Sequence, residues 1–261
     1  MDSTSWLWSN FRMRRQRADS AKPHAATFSP LYRQIKTLLL ISLESGEWQP
    51  GAAIPSEFEL AVRYGVSQGT VRKAIDELSS ESLLVRRQGK GTFVATHSEP
   101  RTQFRFLRLR ATEGEEQQPE RRLIDCRRIR ATAEIARVLD MKSGESVVVL
   151  RRILSFRGIP TVLDEISLPA TIFKGMSAAK VSGYNGALYD LFESEFGVRM
   201  IRAEERIRAL AADATTAELL NVELGLPLLC VDRVAYTYGD RAVEFRRGLY
   251  RTEHHYYANT L

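Results

Sequence analysis

The chain has 261 residues, 44% hydrophobic and 27% charged, with a formal net charge of +6. This is the make-up of a soluble globular protein with room for two domains, and no apolar run is long enough to span a bilayer. Cys126 and Cys230 lie in separate segments without ligand spacing; they could pair, but they read as reduced, buried thiols in the cytosol. Up to Ser98 there are 13 basic against 9 acidic residues, and beyond it 25 against 23. The basic excess thus sits in the first third, where an anionic partner would be met.

Residues 1–27 carry Arg12, Arg14, Arg15 and Arg17 without sustained periodicity. They read as a disordered basic arm adding weak, salt-sensitive affinity for DNA, or as an ordinary leader. From Pro30 the pattern turns helical: Leu31, Ile35, Leu38 and Leu39 share a face before Gly46 closes the helix. Ser56 to Glu59, SEFE, has capping-box spacing, and Gly65 ends that second helix. Ser67 caps a third helix with an inward stripe of Val71, Ala74, Ile75 and Leu78. The runs LLVRR and GTFVA then flank Gln-Gly-Lys as a hairpin, and HSEPR at 97–101 reads as a polar linker.

Helix, turn, helix and glycine-tipped hairpin describe a winged helix-turn-helix, which lays its last helix in the DNA major groove. The outward face of that helix shows Gln68, Gly69, Thr70, Arg72 and Lys73. A Gln amide can pair two-pronged with adenine, glycine permits close backbone approach, and Thr70 suits a phosphate or a thymine methyl. Arg72 and Lys73 supply charge for phosphate or guanine. Gly89 and Gly91 allow a narrow turn from which Lys90 can probe the minor groove.

Beyond the linker strands dominate, and one unit occurs twice. ATAEIARVLD at 131 resembles ATTAELLNVE at 214, each followed by an apolar strand, an arginine and a glycine turn. Arg152 and Gly158 match Arg233 and Gly239 at one offset of 81 (233 − 152), while Glu134 and Glu218 match at 84 (218 − 134), implying a small length change between the copies. Duplicated halves form a pseudo-symmetric sheet with a cleft where they meet. Of the four histidines, His24 lies in the arm, His97 in the linker and His254-His255 near the end, none in a nucleophile or metal motif. No catalytic residue, metal or cofactor is therefore assigned. A lyase-like second domain is the alternative to a ligand sensor.

PLYRQIK followed by PSEFELAVRYGVSQGTVRKAIDELSSESLLVRRQGKGTFV resembles the DNA-binding domain of the GntR-family bacterial transcription regulators. The resemblance places Phe58, Gln68, Thr70, Arg72 and Gly89 where that family contacts operator DNA. Ser56, Ser67, Gly69, Lys73 and Lys90 complete the expected contact set. Phe58 and Gln68 stand where many members have arginine, and Ser82 where glycine is usual.

RRILSFRGIPTVLDEISLPATIF, ALYDLFESEFGVRMIRAEERI and YGDRAVEFRRGLYR resemble the UTRA effector domain of the HutC subgroup. That resemblance implies an α+β fold like chorismate lyase, an antiparallel sheet with helices. The domains expected are a winged helix-turn-helix at 28–96, a linker at 97–101 and a UTRA effector and dimerisation domain at 102–257. Effector contacts carry over to Arg152, Asp164, Tyr189, Glu244 and Tyr250, with Leu154 replacing a second arginine and Ala187 a serine. The losses favour a singly charged acid or small polar metabolite over a sugar phosphate. Other roles for these residues are a surface charge at Arg152, a core ring at Tyr189 and a Glu244–Arg246 pair along one strand. The expected protein is a cytoplasmic homodimeric repressor, at the nucleoid when bound, with operator DNA and a small-molecule effector as partners.

Overall fold

The computed structural model describes residues 29–97, 108–113 and 118–259; the arm at 1–27 and positions 98–101 of the linker lie outside them. The described chain divides into two units, one ending at Ala95 and one beginning at Thr96.

In the first unit, α1 spans Leu31–Glu44, α2 Glu57–Tyr64 and α3 Gln68–Ser80, followed by β1 (Leu84–Arg87) and β2 (Gly91–Val94). The α2 capping box forms in full: the Ser56 hydroxyl accepts the Glu59 N–H, and Glu59 accepts the Ser56 N–H at 2.8 Å. Gly65 ends α2 at φ 64, a left-handed conformation that costs glycine little. Val71, Ala74, Ile75 and Leu78 are all fully buried. On α1 the buried stripe runs through Ile35, Leu39, Ser42 and Leu43, whereas Leu31 and Leu38 are exposed. At about 100° per residue both leucines fall at the rim of the arc centred near Leu39, which is why sharing a helical side did not bury them. Ser82, standing where glycine is usual, adopts φ 58 at the turn into β1.

The second unit is built on a six-stranded antiparallel sheet. Its strands are β4 (Glu120–Arg130), β5 (Ser146–Phe156), β6 (Ile159–Pro169), β7 (Arg202–Ala211), β8 (Pro227–Thr237) and β9 (Arg241–Tyr250), in the order β4-β5-β6-β9-β8-β7. A short pair, β3 (Leu109–Ala111) with β10 (His255–Tyr257), stands apart from it. Helices α5 (Ala178–Gly183) and α6 (Leu188–Phe196) serve one face, where Phe173, Leu191, Phe192 and Met200 pack on Leu150, Ile166 and Leu168. The opposite face holds Ile153 and Leu163 against Ala217 and Leu220 of α7 (Ala214–Leu220), while α4 spans Ala133–Val138.

The two halves repeat with one constant spacing. Thr132 and Asp213, 81 positions apart (213 − 132), each cap a helix through the side chain. The same step relates left-handed Asp140 to Asn221, Gly144 to Gly225, and the whole of β5 to β8. It also relates the hydrogen bond from Ala131 N–H to Glu145 O to that from Ala212 N–H to Leu226 O. The expected length change is absent. Matching Glu134 to Glu218 followed residue identity, but what repeats is the cap, which threonine and aspartate serve equally. Within the sheet β6 and β9 lie side by side at the centre, so the copies meet along that seam.

Candidate nucleic-acid interface and ligand cavity

In the first unit Gln68, the first residue of α3, is exposed, as are Gly69, Arg72 and Lys73. These lie on the helix face opposite the buried stripe, at the N-terminal end that enters a major groove. Ser67 and Thr70 are engaged locally: the Ser67 hydroxyl accepts the Thr70 N–H and meets the Thr70 hydroxyl at 2.9 Å. Their hydroxyls thus hold the helix start and present its neighbours, as Ser56 does for α2.

Glu57 draws this surface together, accepting from Arg72 Nε at 2.8 Å and bonding Arg86 of the wing at 2.9 Å. Arg86 also reaches Asp76 at 2.8 Å, so both arginines are oriented by acids. The Lys73 ammonium lies 4.1 Å from the Tyr32 ring centroid, a cation–π contact that leaves its charge outward. Phe58, on the first turn of α2, is 62% exposed. Gly89 and Gly91 at the wing tip have φ 69 and 105, and Lys90 between them is exposed. The ten expected DNA-contact residues therefore fall on two helix starts and one hairpin tip of a single unit.

The sequence-predicted effector residues separate into two groups. Arg152 lines a cavity of about 310 Å³ together with Arg121, Leu123, Tyr184, Gly186 and Leu188. Asp164, Tyr189, Glu244 and Tyr250 do not line it; Asp164, Tyr189 and Glu244 form a buried polar network behind Arg152. Asp164 Oδ2 accepts from Arg152 Nε at 3.0 Å and Nη2 at 2.9 Å, and from Arg246 Nη1 at 3.3 Å. Glu244 Oε1 accepts from Arg246 Nε at 2.8 Å and from the Tyr189 hydroxyl at 3.0 Å. Arg246 thus joins two carboxylates on neighbouring strands. The pairing of Glu244 with Arg246 is the structural role left open at the sequence level. Tyr250 packs with Leu154 and Val162, and a Cβ at Gly248 would stand 2.5 Å from its ring.

Electrostatics follow from this burial. Desolvation alone would raise the Asp164 carboxyl, but Arg246 and Arg152 outweigh it and hold it below the usual aspartate range. Burial, reinforced by Glu244, pushes the Tyr189 phenol up to about 12. Arg152 is shifted down by desolvation despite Asp164, and Arg246 is shifted up because its acidic partners exceed its desolvation. Arg151 faces away, opposite Asp125 and Glu165, and lies 3.7 Å from Glu165. It does not replace the arginine missing at Leu154.

Two features escaped the sequence reading. Arg121 of β4 pairs in register with Leu154 and donates to Gly186 O at 2.9 Å, so it lies at the position across from the lost arginine. His97, expected in a polar linker, is buried in the second unit, with its N–H on Glu193 at 2.8 Å and its ring Nε2 3.0 Å from Met200 O. The cleft expected where the repeats meet is also displaced. The cavity lies at β4 and β5 in the first copy, while the seam is filled by the Asp164–Arg246–Glu244 network. A second cavity of about 300 Å³ beside the β5–β6 turn has the charged residues Glu113, Arg157, Arg251 and Glu253 on its wall, of which Arg251 and Glu253 are paired with each other. Among the described residues no cluster of metal-ligating side chains occurs, and no described helix is long and apolar enough to cross a membrane.

Residues 31–94 match the model of the bacterial regulatory proteins of the gntR family, and 114–256 match the UTRA domain. The HTH-type transcriptional repressor NagR of Bacillus subtilis is 31% identical over 85% of this chain and 90% of its own length. The histidine utilization repressor of Pseudomonas putida is 27% identical over 78% of this chain and 82% of its own. Among solved structures, the ligand-binding domain of a Bordetella bronchiseptica protein assigned to the GntR-family transcriptional regulators is 52% identical, with a TM-score of 0.58. It covers 59% of this chain and 96% of that one.

Proposed function

We propose that this chain, which belongs to the GntR family of bacterial regulatory proteins and carries a UTRA domain, is an operator-binding repressor relieved by a small anionic metabolite held beside Arg152. Its family makes it a ligand-controlled, DNA-binding transcriptional regulator of the HutC type. Relatives named as repressors support the negative sign of control and a non-catalytic second domain. Gln68 reads a base edge, Arg72, Lys73 and Lys90 meet phosphate or groove, and Phe58 packs against sugar or a thymine methyl. Two copies in the cytoplasm present paired α3 helices to an inverted repeat with half-sites about one helical turn apart.

The observation that carries the ligand reading is Arg152: only 9% exposed, yet on the wall of a cavity. A buried guanidinium facing open space recognises an anion entering it. Ligand changes operator affinity only as far as it binds the DNA-competent and incompetent states unequally. Footprinting the full chain on DNA upstream of its own coding region tests the reading. Two protected half-sites are expected, and uniform protection at moderate salt would defeat it.

A further inference from the structure

The two repeats treat their matching arginines differently. In the second copy, Arg233 has Glu205 of β7 directly across from it, and the two bond at 2.6 Å. In the first copy, the residue across from Arg152 on β4 is Leu123, and that side opens on the cavity. Arg233 thus has its carboxylate on the outer strand, whereas Arg152 has one only on the inner side, from Asp164 of β6, and none across from it on β4.

Arg121 adds a second cation at this opening. Its guanidinium is bonded to the Gly186 carbonyl, and among the described residues no carboxylate pairs with it. Arg121 is exposed overall, but partial desolvation and the nearby positive charge of Arg152 both work against its charge, which an incoming anion would relieve. Gly186 and Leu188 bring the start of α6 to the same wall, and its N-cap, Ala187, supplies no side-chain hydrogen bond. The first-turn amides favour negative charge there, a preference that Asp190 in the same turn already meets in part.

Charge sets how much anion the site takes. Arg121, Arg152 and Arg246 face Asp164 and Glu244, and Asp190 adds a third carboxylate beside Tyr184 and Gly186, which leaves no surplus of positive charge for a dianion. Arg246 engages both of the buried acids, on Asp164 Oδ2 and Glu244 Oε1, while Asp164 Oδ1 has no partner among the described residues. The rest of the wall mixes apolar Pro119, Leu123, Val181, Leu188 and Leu191 with polar Ser182, Tyr184 and Asn185, and about 310 Å³ suits a small body.

From this juxtaposition we infer that the cavity takes a small monocarboxylate with a partly apolar body, its carboxylate gripped by Arg121 and Arg152. The inference rests on the Arg152 cavity being the ligand site. Arg121 is the specificity residue, standing in from the next strand for the arginine that Leu154 replaces. The outer carboxylate takes the role in the first copy that Glu205 plays in the second.

Thermal-shift and calorimetric titration of the full chain test this, with benzoate and hexanoate against benzamide, hexanamide and glucose 6-phosphate. At least one carboxylate should stabilise the protein while its amide does not, and Arg121→Gln should weaken that binding about tenfold or more. Arg121→Lys should fall between, because it keeps charge but loses the fork. No shift from either carboxylate up to about 20 mM, or equal shifts from amide and acid, would overturn the inference. Glucose 6-phosphate or an amide that binds the wild type alone and loses binding in Arg152→Lys would overturn it while leaving the cavity reading intact. A probe that binds wild type and Arg152→Lys equally would remove the cavity reading itself.

Discussion

Glu193 of α6 accepts the backbone N–H of His97 at 2.8 Å and the Thr96 hydroxyl at 2.5 Å through the same oxygen. The His97 ring lies 5.6 Å from that of Tyr189, four positions earlier on α6, whose hydroxyl bonds Glu244. The residues that directly follow Ala95 are therefore fastened to the helix whose first turn borders the cavity. A ligand that repositions α6 would act on them through Glu193.

Glu193→Ala should speed hydrogen exchange at the His97 amide and lower the stability of the second unit by about 1–3 kcal/mol, the cost of leaving a buried donor unpaired. Ligand affinity should remain while its effect on operator affinity shrinks. Amide exchange at His97 read beside operator titrations checks this, and an unchanged ligand response would count against α6 as the link.

Ser82→Gly should stabilise the first unit by about 1 kcal/mol, because a left-handed conformation strains a residue with a Cβ. Denaturant midpoints of wild type and variant decide it. A lower midpoint for the glycine variant would show that the Ser82 side chain contributes more than its backbone strain costs.

On DNA, Gln68→Ala should cost about 1–3 kcal/mol on the operator and little on unrelated duplex, since a base contact carries sequence information. Lys90→Ala should weaken both alike and reduce the salt slope by about one. Equal losses on operator and random DNA for Gln68→Ala would show that it does not read a base.

The buried network gives stability a signed pH dependence. The folded Asp164 is held low, so its contribution is present above about pH 4 and is lost as pH falls through the lowered value. Tyr189, raised to about 12, contributes fully below pH ~10 and loses that contribution between there and about 12. Tyr189→Phe should cost about 1–3 kcal/mol at neutral pH by depriving buried Glu244 of a donor. That deficit should narrow as pH rises past 10. Urea midpoints at pH 8 and 11 test the sign, and a deficit that widens would refute it.

The helix-turn-helix was legible because its signals are local. Capping spacing at Ser56 and Ser67, left-handed Gly65 and the Val71–Leu78 stripe each act within a few residues. The repeat was half legible. Arg152 with Arg233 and Gly158 with Gly239 stood at the true spacing, while resemblance around Glu134 and Glu218 pointed three residues off. Arg121 and Arg246 were not legible as site residues, because their positions depend on which strands are neighbours and in what register. Likewise, nothing near HSEPR signals that His97 is buried, since its partners Glu193 and Met200 lie about a hundred residues on.

Occupancy beside Arg152 is proposed to control DNA binding. That control is tested most directly by operator affinity of the full chain, measured by fluorescence anisotropy with and without each compound that raises its melting temperature. Such a compound should shift operator Kd by about 5-fold or more in the wild type and not in Arg152→Lys. An equal shift in both proteins, or none in the wild type, would contradict it.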